Sequence, residues 1–146
     1  MRDSLMNVDR IDLAEAFLVH RGAKMAGLGE SPDCVRVVHR FTPGLYIREC
    51  HMLAGHMVIS KIHKTEHPFV ISQGRCSVYS ENGGVEHLSA PHTGITQPGT
   101  RRVIAVHEDT IWTTFHPTEK TDPVEIERDI IEPHENPVLA GLKELT

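Results

Sequence analysis

The pattern of apolar and polar positions changes twice along the chain. Between Val35 and His116 the apolar residues fall in short runs rich in β-branched and aromatic side chains, each bounded by turn chemistry. The spacing predicts strands at Val35–Phe41, Leu45–Met52, His56–His63, His67–Ser72, Arg75–Ser80, Val85–Ser89, Gly94–Gln97, Arg101–Val106 and Ile111–His116. Thr42-Pro43-Gly44 and Gln73-Gly74 are tight reversals, Pro98-Gly99 is a turn, and Asn82-Gly83 is a strong hairpin signal. No connection is long enough for a crossover helix, so the sheets must be antiparallel. Nine short strands point to a sandwich or a barrel of jelly-roll type, and the predicted class is all-β, an antiparallel jelly-roll β-barrel.

On either side the period becomes helical. Ile11, Ala14, Phe17 and Leu18 recur at helical spacing over Ile11–His20, with Asp9 or Asp12 as the start and Gly22 as the stop. The glycines and proline between Gly22 and Asp33 read as a loop. Asp122 caps a second helix, with Pro123 in its first position and Glu125 three beyond the cap; Pro133 follows its end. From His134 onward the pattern predicts a weak tail. The chain therefore divides into a helical arm and loop (1–33), a β-rich body (34–119) and a C-terminal helix and tail (120–146). The apolar stripe of the arm (Phe17, Leu18) needs a cover, and a homodimer is the expected assembly.

At 146 residues the chain is long enough to bury a core as one domain. A formal charge of −5 without basic clusters argues against nucleic acid as a partner; only Arg101-Arg102 stands out. No apolar run is long enough to span a membrane, and the N-terminus lacks a signal-peptide layout. Cys34, Cys50 and Cys76 are odd in number and have no CxxC spacing, which fits reduced thiols in a cytoplasmic setting. Nothing matches a serine or cysteine triad, a P-loop or a dinucleotide fingerprint.

The richest segment for chemistry is KIHKTEHPFVISQG, residues 61–74. His63 and His67 on one straight strand would stand roughly 13 Å apart, at about 3.3 Å of rise per residue, too far to share an ion. With Lys64-Thr65-Glu66 as a turn they face each other and can hold one metal or one ligand. Arg102 shares a side with Ile104 and Val106 if its strand alternates, which turns it inward. Trp112, the sole tryptophan, reads first as a core residue, with a stacking platform for a ligand as the alternative.

The order of these features resembles the cupin superfamily. Its first motif carries His-x-His, a glutamate three or four residues later and a glycine about seven beyond that; its second carries Pro-x-Gly-x-x-His. Gly74 fits the closing glycine, His67 falls on the glutamate position, His63 on the second histidine and Lys61 on the first. Gly99 fits the second motif, Gln97 stands in place of its proline, and Arg102 in place of its histidine. The resemblance covers residues 40–116. The segment HEDTIWTTFHPTE, residues 107–119, further resembles small, mostly uncharacterised cupin-like proteins of bacteriophages and bacteria. A phage protein would work in the host cytoplasm.

The resemblance implies one divalent metal ion (Zn, Fe, Mn or Ni) on His63 and His67, completed by Glu49, His51 or His116. The departures imply instead an anion held by Lys61 and Arg102, since a guanidinium suits carboxylate or phosphate. Three functions follow: a small-molecule binding protein with Lys61, His63, His67, Arg102 and Trp112 around an anionic ligand; a metal-dependent enzyme of dioxygenase, isomerase or lyase type; or an assembly protein that uses the β-body as a scaffold.

Overall fold

A computed structural model describes residues 8–145. The first seven residues of the predicted arm, and Thr146, lie outside the described residues. The expected strands form, with three differences. His56–His63 breaks at Ser60-Lys61 into β3 (Met57–Ile59) and β4 (Ile62–His63). The strand expected at Gly94–Gln97 begins earlier, and the one expected from Arg101 begins only at Val103. The remaining strands are β1 (Val35–Thr42), β2 (Leu45–Met52), β5 (His67–Gln73), β6 (Arg75–Ser80), β7 (Gly84–Ser89), β8 (His92–Thr96), β9 (Val103–Val106), β10 (Thr110–Pro117) and β11 (Ile131–Glu132).

These strands build two antiparallel sheets, ordered β1-β2-β10-β5-β8 and β3-β9-β6-β7, with β4 and β11 as a separate pair. The sheets face each other without joining edge to edge, so the body is an open sandwich rather than a closed barrel. Alternation sends Cys50, Met52, Phe69, Ile71 and Trp112 of the first sheet onto Cys76, Val78, Leu88, Ile104 and Val106 of the second. All three cysteines are free thiols. Gly74 closes the β5–β6 reversal at φ +90°, and a Cβ there would collide with the Asp109 carbonyl oxygen, so glycine is required twice over.

Three helices flank the sandwich: α1 (Arg10–His20), α2 (Pro123–Ile130) and α3 (Pro137–Glu144). Asp9 caps α1, accepting from the backbone N–H of Ile11 (2.7 Å) and Asp12 (3.4 Å). The helix buries Ile11, Asp12 and Ala16, not the expected stripe: Phe17 is 60% exposed. A polar anchor explains the difference. Buried Arg101 donates to Asp12 (2.7 Å) and Glu15 (2.9 Å), and His134 Nε2 lies 2.8 Å from the same Asp12 carboxylate. Asn136 adds bonds to the Asp12 carbonyl (2.9 Å) and to Glu15 (3.0 Å).

The region from His134 is therefore not a weak tail. Asn136 caps α3 with Pro137 in its first turn, the same chemistry that Asp122 and Pro123 supply to α2. Among the described residues, no helix is long and apolar enough to cross a membrane.

Candidate functional site

Strand pairing lays out the inner face of the first sheet in rows. Arg48 on β2 lies opposite Thr114 on β10, which lies opposite Phe69 on β5, which lies opposite Gly94 on β8. One row toward the sandwich end, Tyr46 faces His116 and His67 faces Thr96. In the other direction lie Cys50, Trp112 and Ile71.

At that end three imidazoles meet. The ring centroids of His63 and His67 are 4.6 Å apart, those of His67 and His116 4.4 Å, and those of His63 and His116 6.4 Å. The expected convergence of His63 and His67 is present, although β4 and β5 are not bonded to each other. β4 pairs with β11, and His63 is fixed through the Gly99 N–H donating to its carbonyl and its own N–H donating to Thr100. The third ring is the His116 named among the replacement ligands. The other two candidates are excluded by alternation: Glu49 and His51 lie on the opposite face of β2, where Glu49 pairs with Arg40 and His51.

All three rings favour the neutral form. Burial pushes His63 and His116 down to about 3, helped for His63 by His67, His116, Arg48 and Arg102, and for His116 by His67 and Arg48. His67 is lowered by burial and by Arg102, against the Thr65 carbonyl. That carbonyl, 3.1 Å from His67 Nδ1, can only accept, so Nδ1 carries the proton and Nε2 keeps a lone pair. His116 Nε2 lies 2.8 Å from the Thr114 hydroxyl. The Nδ1 atoms of His63 and His116 are buried and have no hydrogen-bond partner. Leaving such groups unpaired costs stability.

Arg102, just ahead of β9, points inward, on the side of Ile104 and Val106. Its guanidinium carbon lies 5.3 Å from the Phe69 ring centroid and 5.5 Å from that of Trp112, and it donates to the Thr96 hydroxyl at 3.2 Å. Phe69 and Trp112 stack at 4.6 Å, so Trp112 is both core and the surface beneath the cation. Burial lowers the Arg102 pKa, against a weaker opposing pull from Glu86. No carboxylate of the described residues comes within ion-pair distance of Arg102 or of Arg48.

Lys61 is placed differently. Its ammonium donates to the carbonyls of Gly27 (2.8 Å) and Glu30 (3.2 Å) and to Glu127 (2.9 Å), and Glu127 also accepts from the Gly29 N–H at 2.7 Å. It fastens the 27–30 loop and α2 over the end of the sandwich. Beneath that cover, Ile126 and Ile130 pack on Tyr46, and Ile131 pairs with His63. Arg48 and His39 line a small cleft between this cover and the first sheet.

A divalent ion fits the donor chemistry of the trio, since neutral imidazoles with orphaned nitrogens are ligands for metals of borderline softness. The rings as they stand do not form a finished metal centre: among the described residues no three His, Cys, Asp or Glu side chains have that arrangement.

No protein-family model and no curated protein sequence matches the chain. Solved structures do. Salicylate 1,2-dioxygenase from Pseudaminobacter salicylatoxidans aligns over 83% of this chain at 12% identity with a TM-score of 0.56; this chain spans 35% of that protein's length. A protein of unknown function from Vibrio parahaemolyticus aligns over 64% of this chain and 97% of its own, at 11% identity and a TM-score of 0.51. At these identities the likeness is one of fold.

Proposed function

We propose that this chain, which has the fold of the cupin superfamily, binds a small anionic molecule inside the sandwich, against Arg102 and beside the three imidazoles. The observation that carries this reading is the state of Arg102. A partly buried guanidinium without a carboxylate leaves several kcal/mol of desolvation uncompensated, and this one is held over two aromatic rings with only the Thr96 hydroxyl accepting from it, a group whose planar fork suits a carboxylate or phosphate. Neutral His63, His67 and His116 offer hydrogen-bonding nitrogens without adding charge.

A second reading is favoured by the two orphaned Nδ1 atoms. His63, His67 and His116 would hold a divalent metal ion. Such an ion would supply Lewis acidity at its open positions, next to an anion oriented by Arg102. That arrangement belongs to the metal-dependent enzyme reading.

Thermal melts of wild type and Arg102→Ala, with and without phosphate or acetate, test the first reading. Since no carboxylate is stranded by the change, the variant should melt close to wild type and lose the anion-induced rise in Tm. Elemental analysis of protein purified without a histidine tag tests the second. If neither protein responds to anions and both respond to added divalent metal, the metal reading replaces the first.

A further inference from the structure

The outer face of the second sheet carries a polar cluster that the interior site does not use. Cys76 and Val78 of β6, Leu88 of β7 and Val106 of β9 are buried in the sandwich, so alternation turns Ser77, His87 and His107 outward. Ser77 lies directly opposite His87 in the β6–β7 ladder. On the other side of β6, just past the end of β9, the His107 N–H donates to the Arg75 carbonyl at 3.0 Å. The two imidazoles therefore reach Ser77 from opposite neighbours. His87 Nδ1 lies 2.7 Å from the Ser77 hydroxyl oxygen, and His107 Nε2 lies 2.6 Å from it.

We propose that these two nitrogens, with the hydroxyl between them, form a surface site for one divalent first-row transition metal ion of the class imidazole selects: zinc, copper or nickel. A hydroxyl has one proton, so it donates to one ring and must accept from the other. One nitrogen thus already presents a lone pair at Ser77. The other needs only a change of tautomer, because the far nitrogens, His87 Nε2 and His107 Nδ1, are bonded to no described residue and can take the proton. Both near nitrogens converge on one atom, so small ring rotations bring them to the metal distance of about 2.0–2.1 Å, with Ser77 as a weak third ligand and water in the remaining positions. Arg75, two residues along the same face, is engaged by Glu108 at 3.6 Å. A hydrolytic role for Ser77 has less support: no carboxylate of the described residues bonds either ring to orient it as a base. The imidazole trio lies across the sandwich, on the inner face of the other sheet, so an ion here is separate from any ion there.

Calorimetric titration with zinc of wild type, His87→Ala, His107→Ala, Ser77→Cys and His116→Gln, all kept reduced, tests this. His87 and His107 are exposed, so their alanine variants should keep the fold, which circular dichroism checks. Outer-shell partners alone are worth about 10–100-fold in metal affinity; removing either ligating ring should therefore weaken one zinc equivalent at least tenfold or abolish it. Ser77→Cys, which sets a thiolate beside the ion, should tighten that equivalent at least tenfold. His116→Gln, which breaks the interior trio, should leave it unchanged; the two alanine variants carry the test if that variant does not fold. Wild-type zinc binding in either alanine variant, no tightening in Ser77→Cys, or no zinc bound by wild type overturns the inference. A loss confined to His116→Gln assigns the ion to the interior trio and overturns it as well.

Discussion

Gly94 lies directly across from Phe69 in the β5–β8 ladder, and a Cβ built on it would stand 2.6 Å from the ring's Cζ and 2.7 Å from Cε1. The tip of the phenyl ring occupies the space a side chain at Gly94 would take, and this lets the ring stack on Trp112 and carry Arg102. Gly94→Ala must push the ring away. The expected cost is about 1–3 kcal/mol, typical of overpacking, together with a weaker anion response. Chemical denaturation reads the first effect and anion-dependent melting the second. A variant with wild-type values for both would show that Phe69 does not position Arg102.

Glu127 holds two elements at once, the Gly29 N–H and the Lys61 ammonium, while buried. Glu127→Ala strands both partners and should cost about 1–3 kcal/mol. Glu127→Gln keeps an acceptor for Gly29 and should cost less. Urea midpoints of the three proteins check the order. The alanine variant should also bind anions faster, because the cover over the imidazoles is then held by fewer bonds; stopped-flow mixing measures that rate.

Folding lowers the pKa of His63 and His116 from the ordinary imidazole value to about 3. Between these values the unfolded chain binds protons that the folded chain refuses, so stability falls as pH drops. The loss begins near the unfolded pKa of about 6.5 and continues toward pH 3. For a single such ring the slope approaches about 1.4 kcal/mol per pH unit. His116→Gln should flatten the profile over that window and leave stability above pH 7 less dependent on pH than wild type below it. Denaturation midpoints from pH 7.5 to 4.5 check both statements; a flat wild-type profile would mean the rings are solvated.

Leu13 (49% exposed) and Phe17 (60%) lie one turn apart on the side of α1 that faces solvent. We propose that a second copy covers them. Light scattering at high micromolar concentration should give twice the mass of the chain for wild type and a lower mass for Leu13→Glu combined with Phe17→Glu. A monomeric wild type would rule the pairing out.

The sandwich was legible because its strands are local: the runs alternate, and most of the turns carry a glycine, proline or asparagine. The meeting of His63 and His67 followed from one turn, and the inward pose of Arg102 from the alternation of one strand. Three things depended on long-range packing and were hidden. His116 joins the trio only because β10 lies between β2 and β5. Lys61 turns to the cover because Glu127, far along the chain, waits there. The buried side of α1 is chosen by Arg101, so Asp12 goes in and Phe17 stays out. The third helix had a readable signal in Asn136-Pro137, but none of its residues is fully buried, and its apolar residues show no strong core pattern.

β10 is bonded on one side to β2 and on the other to β5, and nothing else joins those two halves of the larger sheet. It is also the last strand of the sandwich in chain order. During synthesis on the ribosome, β1-β2 and β5-β8 must therefore wait as separate ribbons, each with an open edge, until residues 110–117 have emerged. Those edges are the ones on which a growing chain is most exposed to pairing with a neighbour. The hazard is settled by the same strand that delivers His116 to the other two imidazoles, so a chain with the full trio is also a chain with its sheet closed.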